Sequence, residues 1–210
     1  MNWKTRFKLS AAFKPLNTLL RAWKRLQWRL TGSSLPPLHE IKQGHLITLR
    51  QRFAPRVFVE TGTYRGKMIF AMRPYFDRVI SIEVDPVLGQ RAQQLFAGCP
   101  EVSVIIGDSA VALPGVLAEL NEPALFWLDG HFSGGETGKG DKDTPILEEL
   151  DAIFRHPLKT HVIAVDDALC FNGQDDYPSI AALERFVAER TQHYVVRAAD
   201  NIIFITPTSR

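Results

Sequence analysis

Three things are scarce in this chain of 210 residues. Its two cysteines, Cys99 and Cys170, are too few for a disulfide framework and lack the spacing of a metal site, which favours a reducing compartment such as the cytoplasm. No apolar run approaches the roughly 18 residues that a membrane span needs. Residues 1–39 contain no acid at all. The absences exclude a disulfide-rich secreted domain and an integral membrane helix.

The missing acids divide the chain into two parts. Eight of the 25 Lys and Arg lie within residues 1–39, which leaves 17 basic residues against all 23 acidic ones elsewhere. We therefore interpret residues 1–36 as a basic amphipathic arm and linker, and residues 37–210 as one domain. The arm could lie on an anionic membrane surface, cover the domain or a second subunit, or act as a targeting segment; packing or oligomerisation is slightly favoured. Nucleic acid is not expected as a partner, because the acidic body would repel phosphates.

Hydrophobic patterning predicts an α/β fold after a helix over residues 39–52. Apolar runs without polar alternation indicate strands covered on both faces, and helix-like segments separate them. This order predicts a Rossmann-like, doubly wound and mostly parallel sheet with helices on both faces. Two final runs flank Asp200-Asn201 and predict a hairpin with an antiparallel strand. The strands are expected at 56–60, 78–84, 102–108, 124–130 and 161–167, and the helices at 66–73, 86–97, 110–120, 145–155 and 179–190.

Acidic residues end nearly every predicted parallel strand. Ligands of open parallel sheets bind beyond the carboxyl ends of the strands, so a row of acids at that edge indicates a binding site. Such a row would cost stability through repulsion unless something binds there. The acids are Glu60, Glu83, Asp85, Asp108, Asp129, Asp166 and Asp167.

The first predicted turn, "VETGTYRGKMI", carries Gly62 and Gly66. Glycine permits a tight turn and close approach of a ligand, although a turn that merely packs is the alternative. Tyr64 argues against a nicotinamide-dinucleotide fingerprint and hence against a dehydrogenase. Glu83 follows Gly62 by 21 residues, near the spacing at which an acid accepts hydrogen bonds from ribose hydroxyls. Asp108 could accept from an adenine amine or simply cap the next helix.

The motifs "FVETGTYRG", "ISIEVDP", "IIGDSA" and "FWLDGH", in that order, resemble the class I S-adenosylmethionine-dependent methyltransferases over about residues 53–207. The resemblance is closer to O-methyltransferases of small molecules and sugars than to nucleic-acid or protein-arginine methylating groups. It implies S-adenosylmethionine as cofactor and a small-molecule or carbohydrate acceptor. The residues that it implies for the cofactor are Glu60, Gly62, Thr63, Gly66, Glu83, Asp108, Ser109 and Asp129.

The acceptor end of the predicted site contains Asp129, Asp166 and Asp167. Three converging carboxylates suit a hard divalent cation such as Mg²⁺. The stretch "VIAVDDALCFNG" resembles the second metal motif of catechol and caffeoyl-type O-methyltransferases, but Asp167 stands where those proteins have Asn. A cation there would lower the pKa of an acceptor hydroxyl.

His131 is the candidate general base, with Asp129 as its catalytic neighbour, since an ordinary histidine pKa suits proton removal near neutral pH. The alternative is a loop histidine that hydrogen-bonds locally. The glycine-rich segment 132–143 is expected to be a lid or an acceptor-binding loop. His161 begins a predicted strand, so it should lie at the opposite edge and be structural. A non-catalytic nucleoside-binding or membrane-peripheral scaffold with the same fold is the alternative function.

Overall fold

The computed structural model describes residues 39–130, 144–174 and 176–208. In this part of the chain seven strands form one sheet in the order β3-β2-β1-β4-β5-β7-β6. The first five strands run parallel, whereas β7 is antiparallel to both β5 and β6. The strands are β1 (Val57–Thr61), β2 (Arg78–Glu83), β3 (Val102–Ile106), β4 (Ala124–Leu128), β5 (Val162–Val165), β6 (Tyr194–Ala199) and β7 (Ile202–Pro207).

Helices cover both faces of the sheet. Leu113, Leu150 and Leu183 mark the helices packed on one face, and Leu46, Met72 and Phe96 mark those on the other. The predicted doubly wound fold is therefore confirmed. The helices are α1 (His39–Phe53), α2 (Lys67–Met72), α3 (Pro86–Phe96), α4 (Ser109–Ala118), α5 (Ile146–Arg155) and α6 (Ile180–Arg190), with 3₁₀ turns at Arg73–Tyr75 and Ala168–Cys170.

The central strands are buried along their whole length. Every residue of β1, β4 and β5 is buried. Successive residues point to opposite faces of the sheet, so that Val57 belongs to the core on one face and Phe58 to the core on the other. Each fully buried side chain of the size of Phe126 contributes about 2 kcal/mol of hydrophobic stabilisation. Two-sided burial explains why these runs show no polar alternation in the sequence.

The predicted C-terminal hairpin is present and turns at the functional edge. Asp200 and Asn201 have positive φ angles of 52° and 60°, the conformation that a two-residue hairpin turn requires and that Asp and Asn tolerate. Because β7 runs antiparallel to β5, this turn lies beside the carboxyl end of β5. The hairpin therefore brings a further acid, Asp200, to the edge where the predicted acids gather.

The strand order reverses direction at β1, which pairs with β2 on one side and with β4 on the other. A ligand crevice is expected beyond the carboxyl ends of the strands at such a switch point. The predicted acids at the ends of β1, β2, β3, β4 and β5 therefore share one edge of the sheet. Among the described helices, none is long and apolar enough to cross a membrane.

Candidate functional site

The glycine turn after β1 packs tightly against other parts of the protein. Gly62 has a φ of +85°, and a Cβ there would lie 2.4 Å from the carbonyl oxygen of Asp129. Gly66 has a φ of +67°, and its Cβ would lie 2.8 Å from Cε2 of Phe96. Both positions thus need glycine for conformation and for packing against the end of β4 and against α3. Their contact with a cofactor stays a prediction.

Glu83 ties this turn to the end of β2. Its carboxylate accepts hydrogen bonds from the backbone N–H of Tyr64 at 2.6 Å and from that of Asp85 at 3.0 Å. The side chain is only 4% exposed. A carboxylate has about four acceptor positions, so two backbone donors leave acceptor capacity for ribose hydroxyls. The predicted ribose residue is therefore fixed in place beside the glycine turn.

Exposed apolar side chains flank Glu83. Val84 directly follows it, and Ile106 is its Cα partner on β3; both are 36% exposed. Val111, in the first turn of α4, is 79% exposed. Apolar groups left open at the end of a buried sheet offer a surface for a flat heterocycle such as adenine.

Glu60 points inward, onto a short chain of hydroxyl groups. The Ser81 hydroxyl donates to Glu60 Oε2 at 2.6 Å, and Thr63 Oγ1 lies 2.6 Å from Ser81 Oγ. Burial, reinforced by the charge of Glu83 and opposed by the Ser81 hydrogen bond, raises the pKa of Glu60 to about 8. The carboxyl is therefore mostly protonated at neutral pH, and it adds little to the negative charge of the edge.

Two further acids of the edge cap helices. Asp85 accepts from the backbone N–H groups of Val87 and Leu88, each at 2.8 Å, at the start of α3. Asp108 accepts from the N–H of Ala110 at 2.8 Å and begins α4. The capping alternative for Asp108 is thus what the geometry shows, while its contact with adenine stays a prediction.

Glu149 is a buried acid that was not among the residues predicted for the site. It lies on α5, is 1% exposed, and hydrogen-bonds with the side chains of Ser109 and Thr61. Burial raises its pKa to about 7 although these two hydrogen bonds lower it. Its Oε1 lacks a hydrogen-bond partner among the described residues, and a Cβ on Gly130 would lie 3.3 Å from that atom. Helical periodicity could have revealed it, since position 149 shares a face with Ile146, Leu150 and Ile153.

Lys42 lies among the three acids of the predicted metal site. Its Nζ is 2.5 Å from Asp166 Oδ2 and 3.5 Å from Asp167 Oδ1. Burial alone would lower the pKa of Lys42, but attraction to Asp166, Asp167 and Asp129 outweighs it and raises that pKa. The lysine is therefore charged at neutral pH. The sequence predicted the helix that carries Lys42 but not its role at this edge.

The predicted Mg²⁺ finds no support at these acids. One oxygen of Asp166 accepts from Lys42 and the other accepts from the backbone N–H of Asp167 at 2.7 Å. Asp167 Oδ1 accepts from the side-chain amide of Asn201 at 2.9 Å. Across residues 39–130, 144–174 and 176–208, no group of three or more His, Cys, Asp or Glu could hold a metal ion. Asp166 and Asp167 both lie beside Lys42, and their oxygens face an ammonium group and hydrogen-bond donors.

A second residue of α1 holds the C-terminal hairpin. His45 Nε2 lies 2.7 Å from Asp200 Oδ2, and the imidazole packs on Phe204 with ring centroids 5.3 Å apart. Lys42 and His45 are three residues apart, so they project from the same side of α1. The helix thus fixes both the acids after β5 and the hairpin turn.

Several predicted features lie outside the described residues. They are the general base His131, the lid segment 132–143 and the N-terminal arm. His161 is described, and its Nδ1 accepts from the backbone N–H of Ala124 at the first residue of β4. It therefore lies at the amino edge, as predicted.

The chain is similar to known proteins in structure but not detectably in sequence. No family model matches the chain, and no curated protein sequence matches it. The S-adenosylhomocysteine-bound methyltransferase PaMTH1 from Podospora anserina is similar with a TM-score of 0.59 and 16% identity, over 92% of this chain and 88% of that protein. The O-methyltransferase TomG from Streptomyces achromogenes, solved with S-adenosylmethionine, has a TM-score of 0.59 and 14% identity, over 96% and 97% of the two chains.

This chain has the fold of the class I S-adenosylmethionine-dependent methyltransferases. An O-methyltransferase from Bacillus cereus, in complex with S-adenosylhomocysteine, agrees with a TM-score of 0.57 and 15% identity over 94% of this chain and 98% of that one. The resemblance inferred from four short motifs is thus confirmed for the methyltransferase fold. Because one fold supports many activities, the residues of the site decide what this chain does.

Proposed function

We propose that this chain is an S-adenosylmethionine-dependent methyltransferase that methylates a hydroxyl group of a small molecule or a sugar. The observation that carries the proposal is the position of Glu83. Its carboxylate is held by the N–H groups of Tyr64 and Asp85, at the switch point of a methyltransferase fold. An acid fixed in this way is suited to ribose hydroxyls, which need an oriented acceptor.

The residues around Glu83 fit the rest of an adenosyl group. Val84 and Ile106 present apolar surface on the side of β3, where an adenine ring could pack. On the other side, Gly62 at the start of the first turn packs against the end of β4. This arrangement supports a cofactor lying along the edge, with its reactive end directed towards Asp129.

When bound, S-adenosylmethionine supplies a methyl group on a positively charged sulfur, which is a good leaving group. The protein has to position the acceptor oxygen in line with the methyl carbon and to remove the hydroxyl proton. Asp129 follows β4, next to β1, and would orient the acceptor. His131 is the proposed base, on the strength of its place two residues after Asp129.

Calorimetric titration with S-adenosylhomocysteine tests the proposal. Wild-type protein should bind one molecule, and Glu83→Ala should weaken the affinity at least about tenfold, because charge-assisted hydrogen bonds to the ribose are lost. Glu119→Gln is the matched control. It removes an exposed glutamate that pairs with Arg78 at the amino end of β2, and it should bind like wild type.

Four outcomes would change the conclusion. No binding by the wild type, or equal binding by Glu83→Ala, would contradict the proposal. Binding without methyl transfer to a broad panel of alcohols, phenols and sugars would favour the non-catalytic scaffold. Methyl transfer to nitrogen acceptors alone would retain the enzyme and correct the acceptor class.

A further inference from the structure

The ammonium of Lys42 lies where the sequence predicts a divalent cation. Asp166 is only 3% exposed, and its Oδ2 contacts Nζ at 2.5 Å. Asp167 approaches the same nitrogen at 3.5 Å, and Asp129 adds attraction from the end of β4. A single positive charge thus faces the acids that follow β4 and β5.

The two acids after β5 already accept hydrogen bonds, which opposes the binding of a metal ion beside Lys42. Asp166 Oδ1 is occupied by the backbone N–H of Asp167, and Asp167 Oδ1 is shared between Lys42 and the amide of Asn201. Mg²⁺ requires oxygen ligands at about 2.1 Å in near-octahedral geometry. Binding of Mg²⁺ would break these hydrogen bonds. It would also place a doubly charged ion beside the largely buried ammonium of Lys42.

We propose that Lys42 is a built-in cation, which takes the place of Mg²⁺ at the acceptor edge and keeps divalent metals out. The lysine comes from α1, and the acids come from the ends of β4 and β5. Asp166 is at sequence separation 124 from Lys42. The side chain of Lys42 is 14% exposed, so it is not fully buried beneath the acids.

A lysine in place of a metal changes which acceptors suit the site, and this part of the proposal rests on the proposed function. A metal ion binds two neighbouring oxygens of a catechol or diol by chelation, whereas an ammonium donates single hydrogen bonds. Asp166 and Asp167 accept two of its three donors in the part of the chain that the structure describes. The third would serve one acceptor oxygen and stabilise the negative charge that develops as the hydroxyl proton leaves. A single isolated hydroxyl is therefore sufficient as substrate.

Titration with Mn²⁺, followed by the electron paramagnetic resonance signal of the free ion, tests the inference in the full chain. Wild type should show no saturable binding up to about 1 mM Mn²⁺, the weak end for carboxylate sites. Lys42→Ala should bind one Mn²⁺ per chain, because the acids are left without their cation. The matched control is Arg52→Ala, which removes an exposed cation from the same helix and should behave like wild type.

A second variant covers the case in which Lys42→Ala does not fold. Lys42→Gln removes the charge but keeps a polar side chain of similar size, and it should also gain Mn²⁺ binding. The melting temperature of either variant should rise with added Mg²⁺, whereas that of wild type should not. Saturable Mn²⁺ binding by wild type, or no gain in a folded variant, would overturn the proposal.

Titration of the same samples with S-adenosylhomocysteine separates this inference from the proposed function. Failure to bind it would count against the methyltransferase proposal alone, since Mn²⁺ binding is measured without cofactor. Once an acceptor is known, EDTA should leave the wild-type rate unchanged, and Lys42→Gln should lower kcat by about 10²-fold. Loss of the wild-type rate in EDTA would contradict the built-in cation.

Discussion

His161 donates a hydrogen bond from Nε2 to Nδ1 of His156 across 2.8 Å. The direction follows from the ends of the chain of hydrogen bonds, because the N–H of Ala124 donates to His161 Nδ1 and His156 Nε2 lies 3.2 Å from the carbonyl oxygen of Leu120. Each ring therefore carries its proton on Nε2 and is neutral. This relay links the loop before β4 to the start of β5 at the amino edge of the sheet.

The relay predicts that His161 lowers the stability of the protein in mild acid, in opposition to the buried acids Glu60 and Glu149, whose pKa values are raised. Burial, with the nearby His156 and Lys159, lowers the pKa of His161 from 6.5 to about 4. The unfolded chain then binds a proton that the folded chain does not bind, so the stability that neutral His161 contributes is complete above pH 6.5 and is lost as the pH drops towards 4. The loss should amount to about 3 kcal/mol. Urea unfolding at pH 7.5 and at lower pH values measures it as a difference between wild type and a variant that lacks this histidine.

Substitution of His161 tests whether the relay causes this loss of stability. His161→Phe removes the titrating group and should gain stability relative to wild type as the pH drops from 6.5 towards 4. At neutral pH the variant should be less stable, because the N–H of Ala124 is left without its partner. His193→Gln, at an exposed position, should retain the wild-type slope. An unchanged slope in His161→Phe would refute the assignment.

Glu60 should destabilise the protein as the pH rises. Its folded-state pKa is raised from 4.5 to about 8, so the unfolded chain ionises first and stability falls between those two values. Glu60→Gln copies the neutral form, so its free energy of unfolding should not fall in this range. The difference from wild type should grow to about 3 kcal/mol near pH 7. Urea unfolding at pH 5 and pH 8 measures it, with Glu119→Gln as control. Parallel pH curves for wild type and Glu60→Gln would show that the carboxyl is ionised when folded.

Two glycines should respond in opposite ways to the same substitution. Gly62→Ala places a Cβ within 2.4 Å of a backbone oxygen at a positive φ, so it should cost about 2–3 kcal/mol of unfolding free energy. Gly115 lies inside α4, where an added Cβ would meet no atom within 4 Å, and Gly115→Ala should stabilise by up to about 1 kcal/mol. Thermal unfolding of both variants provides the comparison. Equal effects would show that the turn after β1 can relax.

The strands followed from local patterns in the sequence. Runs such as "ALFWL" have no polar alternation because β4 is covered on both faces, and the acids after them converge because parallel strands share a carboxyl edge. Boundaries moved by a few residues, so that Asp108, Asp129 and Asp166 follow their strands instead of ending them. The hairpin could also be predicted from a local pattern, because Asp200 and Asn201 are residue types that suit the turn itself.

What the sequence did not reveal depends on contacts between distant residues. Lys42 looks like an ordinary surface cation until α1 packs beside β4 and β5. The glycines of the first turn were expected to give room to a ligand, yet the atoms that a Cβ would strike belong to Asp129 and Phe96. Hydrophobic patterning and motif spacing locate the carboxyl edge of the sheet. They do not reveal which side chains from elements distant in the sequence reach that edge.

Lys42 and His45 join the earliest described helix to acids that lie near the end of the chain. During synthesis, the first four strands can pair while the partners of these two side chains have yet to leave the ribosome. The contacts of Lys42 and His45 are consequently completed after the first four strands, and a nascent chain that stops before residue 200 would lack the partner of His45.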